Sequence, residues 1–395
     1  MNRLTQIAAL CAFNLRTLPS RKGSAAAAVF GIAGVVAVLV GVLSIGEGFE
    51  KAMTSAGSDD TAIVLRSGAD SEMTSMLARS DADLMEEAPG VAMLNGKPLV
   101  SPELFVIVNL PKRSTGTDAN VPMRGVEPVV FGVRDEVKIV EGRTFEWGRN
   151  EVIVGRGALS EFSGTDLGAE LQFGQNKWTV VGVFEARGGL SESEIWADAA
   201  VLSPAYRRGN SFQTAVVRLA SAGSFQQFKD ALTADPRLNV KVVRETDYYA
   251  GQSRVLRLII TGLAAIVSGL MGLGALFGAL NTMYTAVAAR AREIATLEAI
   301  GFGSFAVMVS VLLEALVLAL IGGVIGAAGA WIAFDGYRAA TMNWQSFSQV
   351  AFAFDVNLRL VTFAIVYAMI IGLIGGFFPA IRAARMPVAA ALRDR

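Results

Sequence analysis

Side-chain catalysis needs a nucleophile, a general base or a metal-binding cluster, and this sequence offers little of any. It has no histidine and one cysteine, Cys11. That excludes Ser-His-Asp relays, imidazole pH switches and His-zinc sites, along with internal disulfides and Cys-rich zinc sites. The acid pairs Asp59-Asp60 and Glu86-Glu87 stand without active-site context and read as solvated surface charge. Gly155-Arg156-Gly157 follows a strand-like run, but the third glycine and acidic partner of a dinucleotide site are missing, so it reads as a turn. No G-x-x-x-x-G-K-[ST] occurs. Two features keep chemical content. Glu314 is the sole ionisable residue well inside a long apolar stretch, a costly placement that marks function by default. No Lys or Arg lies within the apolar stretches to pair with it. It is expected protonated, or hydrogen-bonded to Ser310 or to a neighbouring helix, and a proton relay, an interhelix bond and the lining of a lateral opening all stay open. The second feature is the mixed charged and apolar run from Arg290 to Gly301.

The elements that must position these residues are long and apolar. Of the 395 residues 53% are apolar and 18% charged, against about 25% charged in ordinary soluble domains, and the mean hydropathy is +0.47. A hydrocarbon core of about 30 Å needs about 20 apolar residues per helix. Four stretches meet this: 23–47, 258–284, 303–334 and 360–381. The third exceeds one crossing, which tilt or an extension absorbs. The first is too long for a signal-peptide apolar region and follows a 22-residue segment, so cleavage is not expected. Cys11, preceded by Leu10 rather than a small residue, reads as a buried or interfacial thiol rather than a lipidation site.

Lysine and arginine near span ends set orientation. Segment 1–22, connection 285–302 and tail 382–395 together carry 10 basic and 3 acidic residues; the remaining surface, 48–257 with loop 335–359, is net acidic. The basic side is expected in the cytoplasm, with both termini inside and about 210 residues projecting outward. The chain's zero net charge argues against a nucleic-acid partner. Segment 1–22 places Leu4, Ile7, Ala8, Leu10, Cys11, Leu15 and Leu18 largely on one helical face, predicting an amphipathic helix on the inner leaflet. Tyr248, Tyr249, Trp331 and Tyr337 fall where an outer aromatic belt would be, and Trp344, Phe347, Phe352 and Phe354 lie in the outer loop, positioned to touch lipid or the outer domain.

Within 48–257 the pattern predicts an α/β part, 48–117 with 206–250, and a β-rich insertion, 118–205. Thr61–Arg66, Leu104–Leu110, Gln213–Leu219 and Asn239–Val243 read as strands, and Met73–Glu87 and Ser224–Ala234 as helices, Ser224 being a candidate N-cap. The insertion shows short β-type runs, with a hairpin loop at Gly174-Gln175-Asn176. The fold class is therefore an α-helical membrane protein with four transmembrane helices plus an α+β extracytoplasmic domain.

Connection 285–302 predicts a helix over 286–300 that ends at Gly301. Ile294, Leu297 and Ile300 make an apolar stripe; Arg290, Arg292, Glu293 and Glu298 fall mostly elsewhere. A plain surface helix would look the same. Arg292-Glu-Ile-Ala-Thr-Leu-Glu-Ala-Ile-Gly301, however, resembles the signature of FtsX-like permeases, the membrane subunits of MacB-type (type VII, mechanotransmission) ABC transporters, with Glu298 where a basic residue is usual. The tail Phe378–Leu392 resembles their C-terminal ending. Met123-Arg-Gly-Val-Glu127, Glu141–Phe145, Glu151–Gly155, Leu167-Gly168 and Trp178–Phe184 resemble their periplasmic core domain.

The resemblance implies a non-catalytic subunit, with no cofactor of its own, in the bacterial inner membrane. ATP and Mg sit on a separate ATPase present in two copies, and helix 286–300 is the coupling helix in that ATPase's cleft. Further implied partners are a second permease copy or a paralogue, membrane lipids, and a periplasmic adaptor or outer-membrane protein. Export or extraction of a lipid, lipoprotein, peptide or toxin is the expected work; transmembrane activation of a periplasmic enzyme is the alternative. Three G-x-x-x-G spacings, Gly274/Gly278, Gly322/Gly326 and Gly372/Gly376, are candidate helix contacts. Spans with so few polar groups are expected to transmit force rather than conduct a hydrophilic solute.

Overall fold

A computed structural model describes residues 3–17, 22–55, 57–173, 176–343 and 348–387. The expected 174–175 turn, Leu18, Trp344, Phe347 and the tail from 388 lie outside the described residues. In chain order the elements are α1 (Arg3–Thr17), α2 (Lys22–Thr54), β1 (Thr61–Arg66), β2 (Leu77–Ala78), α3 (Arg79–Glu86), β3 (Met93–Leu94), β4 (Lys97–Pro98), β5 (Val100–Pro111), β6 (Asp118–Val126) and α4 (Val130–Val133). There follow β7 (Lys138–Gly142), β8 (Glu151–Gly155), α5 (Arg156–Glu161), β9 (Glu170–Phe173), β10 (Asn176–Glu185), β11 (Ile195–Asp198), α6 (Ala199–Ala205), β12 (Ser211–Phe212), β13 (Thr214–Arg218), α7 (Phe225–Ala234) and β14 (Val240–Arg244). The chain ends with α8 (Glu245–Ala289), α9 (Ala291–Ala299), α10 (Ser304–Phe334), β15 (Arg338–Asn343), β16 (Ser348–Ala353) and α11 (Leu358–Ala384).

Two compact units result. The first is Met1–Glu47, Leu258–Tyr337 and Phe354–Arg395; the second is Gly48–Arg257 with Arg338–Ala353. Four helices are long and apolar enough to cross a membrane: Ala25–Thr54, Leu256–Ala289, Ser304–Phe334 and Leu358–Ala384.

In the helical unit, small residues set how closely helices approach. A Cβ on Gly322 would stand 2.8 Å from Val29 O, and Gly326 faces Ala33 and Val36 in the same way, so α10 lies directly on α2. Gly372 and Gly376 of α11 meet Ala319 and Ala315 of α10, and Gly375 meets Ala279 of α8. Gly274 and Gly278 differ: nothing lies within 4 Å of a Cβ at either, so that spacing makes no contact among the described residues. Asn357 caps α11 by accepting from Leu360 N at 2.9 Å and donates to Glu47 Oε2 at 2.9 Å, tying α11 to α2.

The second unit is built on one ten-stranded mixed sheet in the order β14-β1-β13-β5-β6-β11-β8-β10-β7, with β9 on β10. The two parts expected from sequence therefore share a sheet rather than standing apart. The cause is β5, whose first residues Val100–Glu103 pair with β13 while Leu104–Pro111 pair with β6. One apolar core gathers Met85, Phe228 and Leu232 against β1, β13 and β14. The other gathers Trp178, Phe162 and Leu202 against β5, β6, β8 and β11.

Several local expectations change. Met73–Glu87 is not one helix: a 3-10 turn at Glu72–Thr74 and β2 precede α3. The carboxylate of Glu72 is drawn inward to Arg124, at 2.8 Å, and its backbone N–H donates to the Tyr248 hydroxyl, so tertiary contacts override helix propensity. Ser224 occupies the N-cap of α7 but makes no capping bond. Loop 335–359 is not a bare loop, because β15 and β16 pair across it and Ala351 N donates to Ser193 Oγ at 2.9 Å. Phe352 packs edge-on against Phe49. Tyr248 and Tyr249 are buried rather than facing lipid, while Trp331 and Tyr337 are exposed. Gly155 ends β8 and Gly157 lies in the first turn of α5, both against the backbone of Glu192 where any side chain would clash, so the run is a closely packed strand-to-helix junction rather than the expected turn.

Candidate functional site

The connection between α8 and α10 differs from the single helix expected over 286–300. Helix α8 runs without interruption to Ala289, breaks at Arg290 (φ −110°, ψ 12°), and the short α9 follows. Ile300 caps it, and Gly301 takes φ +100°, a left-handed conformation that ends the helix and that a glycine adopts without strain. Gly303 then leads into α10.

Helix α9 has two chemically distinct faces. Ile294 and Ala295 are buried, with Leu297 partly buried beside them, packing with Val307 and Val311 of α10. Arg292, Glu293, Thr296 and Ala299 are exposed. Ile300 is 68% exposed rather than part of the packed stripe, because the helix ends before carrying it inward. Glu298 is half-buried, with its Oε1 enclosed and without a hydrogen-bond partner among the described residues.

Arg290 does not belong to the exposed face. It is buried at the break, and its guanidinium gathers a polar cluster. Nη1 donates to Glu314 Oε2 at 3.1 Å, Nε to Glu293 Oε2 at 3.3 Å, and Nη2 to Asn14 Oδ1. Asn14 Nδ2 in turn donates to Ser310 Oγ at 2.9 Å. Glu314 thus has a basic partner that the apolar stretches themselves do not contain: the break in the helix turns Arg290 back toward α10. Ser310, expected as a direct partner of Glu314, enters through Asn14. The N-terminal helix is also placed differently, since Leu10 is buried, and Ile7 partly so, against α9 and α10 rather than in lipid.

A second buried charge network lies in the sheet-containing unit, and sequence reasoning did not find it. Arg124, from the Met123-Arg-Gly-Val-Glu run, is 1% exposed and donates to Glu194 at 2.7 Å, Glu103 at 2.7 Å and Glu72 at 2.8 Å. Arg134 bridges Glu103, at 3.2 Å, and Glu245, at 3.1 Å, the first residue of α8. Burial alone would raise the Glu103 carboxyl, but Arg134 and Arg124 outweigh it and hold it below its ordinary value. Glu245, with a share of only one guanidinium, is pushed up to about 7, chiefly by burial. Four acids around two arginines, all buried and paired with one another inside a folded domain, make a structural clasp. No metal-binding group of acids and cysteines occurs among the described residues.

Four span-length helices, with a large mixed α/β domain between the first and second and a short two-faced helix between the second and third, define a membrane subunit with an extracytoplasmic domain. Residues 25–235 match the MacB-like periplasmic core domain family and residues 265–388 the FtsX-like permease C-terminal family. The chain belongs to the FtsX-like, MacB-type ABC transporter permeases. It is similar to the macrolide export ATP-binding/permease protein MacB 1/2 of Paracoccus denitrificans, 26% identical over 390 residues, covering 91% of this chain and 54% of that protein. It also resembles the uncharacterized ABC transporter permease YknZ of Bacillus subtilis, 28% identical over 155 residues, covering 39% of this chain and 36% of that one. The periplasmic region of MacB from Actinobacillus actinomycetemcomitans aligns with a TM-score of 0.36 at 13% identity, over 49% of this chain and 92% of that one. The chain spans about half the length of the curated MacB relatives it matches.

Proposed function

We propose that this permease couples ATP hydrolysis by a partner ATPase to movement of its extracytoplasmic domain, and so drives export or extraction of a lipid, lipoprotein, peptide or toxin at a bacterial inner membrane. The observation that carries this reading is the two-faced α9. Its inner side packs with α10 through Ile294 and Leu297, while Arg292, Glu293, Thr296 and Ile300 are left outward with charge and apolar surface together. A solvated face with no partner would have little reason to expose an isoleucine at its tip. ATP and Mg would be held by the partner ATPase. Two ATPases and two permeases, the second a copy or a paralogue, are the proposed assembly, working on or beside membrane lipids and with a periplasmic adaptor or outer-membrane protein as a further partner.

The test is co-purification from the native host with a tag on the permease, followed by ATPase assay of the complex in lipid nanodiscs. An ABC ATPase is expected in the eluate, and Arg292→Glu with Ile300→Asp is expected to lower its recovery at least tenfold. Recovery at the parent level, or no ATPase at all, would refute the coupling role. Accumulation of a cell-wall hydrolase in place of transport substrates would support the signalling alternative.

A further inference from the structure

We infer that α1 is a splint for α9, holding both of its ends so that the two helices move as one body. Helix α9 is bounded by a one-residue break at Arg290 and by the four-residue stretch 300–303, where Gly301 takes the left-handed conformation, so it is separated from both α8 and α10. Helix α1 reaches both breaks. At one end Asn14 Oδ1 accepts from Arg290 Nη2, while Asn14 Nδ2 donates to Ser310 Oγ of α10 at 2.9 Å. At the other, Gln6 Nε2 donates to Gly301 O at 3.4 Å, and Gly303 N donates to Gln6 Oε1 at 3.2 Å. Between them the buried Leu10 packs with Ile294.

The spacing makes this a matched fit. Gln6, Leu10 and Asn14 are four residues apart and share one helical face. Eight residues of α-helix rise about 12 Å, close to the length of nine-residue α9 at about 1.5 Å per residue. The contacts are also directional. Each amide uses both its donor and its acceptor, so it fixes rotation as well as distance. An amphipathic helix serving only as a lipid anchor would not place a buried asparagine on its packed side.

Gln6 and Asn14 are thus positioning residues for α9, and the functional half of the inference rests on the reading of α9 as the ATPase contact. The test measures the splint and the coupling separately. In a Cys11→Ser background, spin labels at Ala8 and Thr296, both exposed, report the α1–α9 distance in the full chain in nanodiscs. A narrow distribution is expected, unchanged when Mg-ATP is added to the complex with its ATPase. Gln6→Ala with Asn14→Leu is expected to double its width and to cut the ATPase rate at least fivefold with KM for ATP unchanged. Gln6→Ala alone, at a half-buried site that does not threaten folding, is expected to give a smaller broadening of the same kind. A distribution that stays narrow in the variants overturns the splint. Broadening with the full ATPase rate retained overturns its positioning role. Failure of the coupling reading would show elsewhere, as silent Arg292→Glu and Ile300→Asp changes, while the label distances would still report on the splint.

Discussion

At the residue scale two buried arginines are held in opposite ways, and each makes a prediction. Arg290 is paired with Glu314 inside the helical unit, with Asn14, Ser310 and the more exposed Glu293 as its other polar neighbours. Removing one member of a buried pair strands the other charge, at a cost on the order of 3–5 kcal/mol, whereas replacing both by apolar residues is often near neutral. Glu314→Leu is therefore expected to lower the thermal midpoint of the detergent-solubilised chain sharply, and Arg290→Met with Glu314→Leu to recover most of the loss. The recovery should stop short by about 1 kcal/mol for the lost Asn14 bond. A double variant as unstable as the single would show that the pair is not the relevant interaction. Arg134 instead divides itself between Glu103 and Glu245. The groups facing Glu245 are Arg134, Glu136, Glu103, Tyr249 and the Ser58 N–H. Because its folded value lies near 7, the folded domain holds a proton that the unfolded chain has already released above about pH 4.5. This group's contribution is complete at about pH 4.5 and is lost as pH rises to 7, on the order of 3 kcal/mol across that window, then stays flat. Glu103 acts in the opposite sense, contributing above the ordinary carboxylate value and losing that contribution as pH falls. Urea unfolding of the full chain at pH 5 and pH 8 should show lower stability at pH 8, and Glu245→Gln should remove most of the difference. A parent protein equally stable at both pH values would contradict the assignment.

At the element scale the glycines separate contacts from coincidences. Gly326 lies against the α2 backbone at Ala33, so Gly326→Leu must push α10 away from α2; overpacking of this kind costs about 1–3 kcal/mol. A Cβ on Gly278 meets nothing within 4 Å among the described residues, so Gly278→Leu is expected to stay within about 0.5 kcal/mol of the parent. Thermal unfolding of the two variants side by side checks this, and equal losses would mean that Gly278 is packed too. The same glycines show what sequence can and cannot convey. All three G-x-x-x-G spacings look alike in a Gly/Ala-rich helix, and only the packing of α2 and α11 on α10 distinguishes them. Span positions were legible because an uninterrupted apolar run of about 20 residues matches the hydrocarbon thickness, a length that buried helices of soluble domains rarely need. The strands were legible to within a few residues, as Thr61–Arg66 shows: it is a short apolar run rich in β-branched residues, buried on both faces rather than alternating, and its length marks it as a strand. The cluster at Arg290 was not legible. Its members, Asn14, Arg290, Ser310 and Glu314, are separated by up to 300 positions, and the helix break that turns Arg290 inward follows residues that all favour helix. Arg124 was hidden for a related reason: its run looked like a family marker on a strand, and only the sheet order brings Glu72, Glu103 and Glu194 around it.

At the scale of the whole molecule the charge balance makes the last prediction. The sequence totals 35 basic and 35 acidic residues. Because Arg290 and Glu314 neutralise each other in the helical unit, they drop out of the flanking count. Segment 1–22, connection 285–302 and tail 382–395 are left with nine basic against three acidic residues, and the rest of the chain, Glu47 included, with six more acids than bases. Positive charge near span ends is retained on the cytoplasmic side. If all four helices cross, the three basic segments would share one side and residues 48–257 would project on the other. Single cysteines in a Cys11→Ser background can read this out in spheroplasts with a membrane-impermeant maleimide. Gly116→Cys, in an exposed turn of the sheet-containing unit, is expected to react from outside, while Thr296→Cys, exposed on α9, is expected to react only after the membrane is opened. Reaction of Thr296→Cys in intact spheroplasts would invert the topology and remove α9 from reach of any cytoplasmic ATPase. The charge asymmetry and the coupling proposal therefore stand or fall on one labelling pattern.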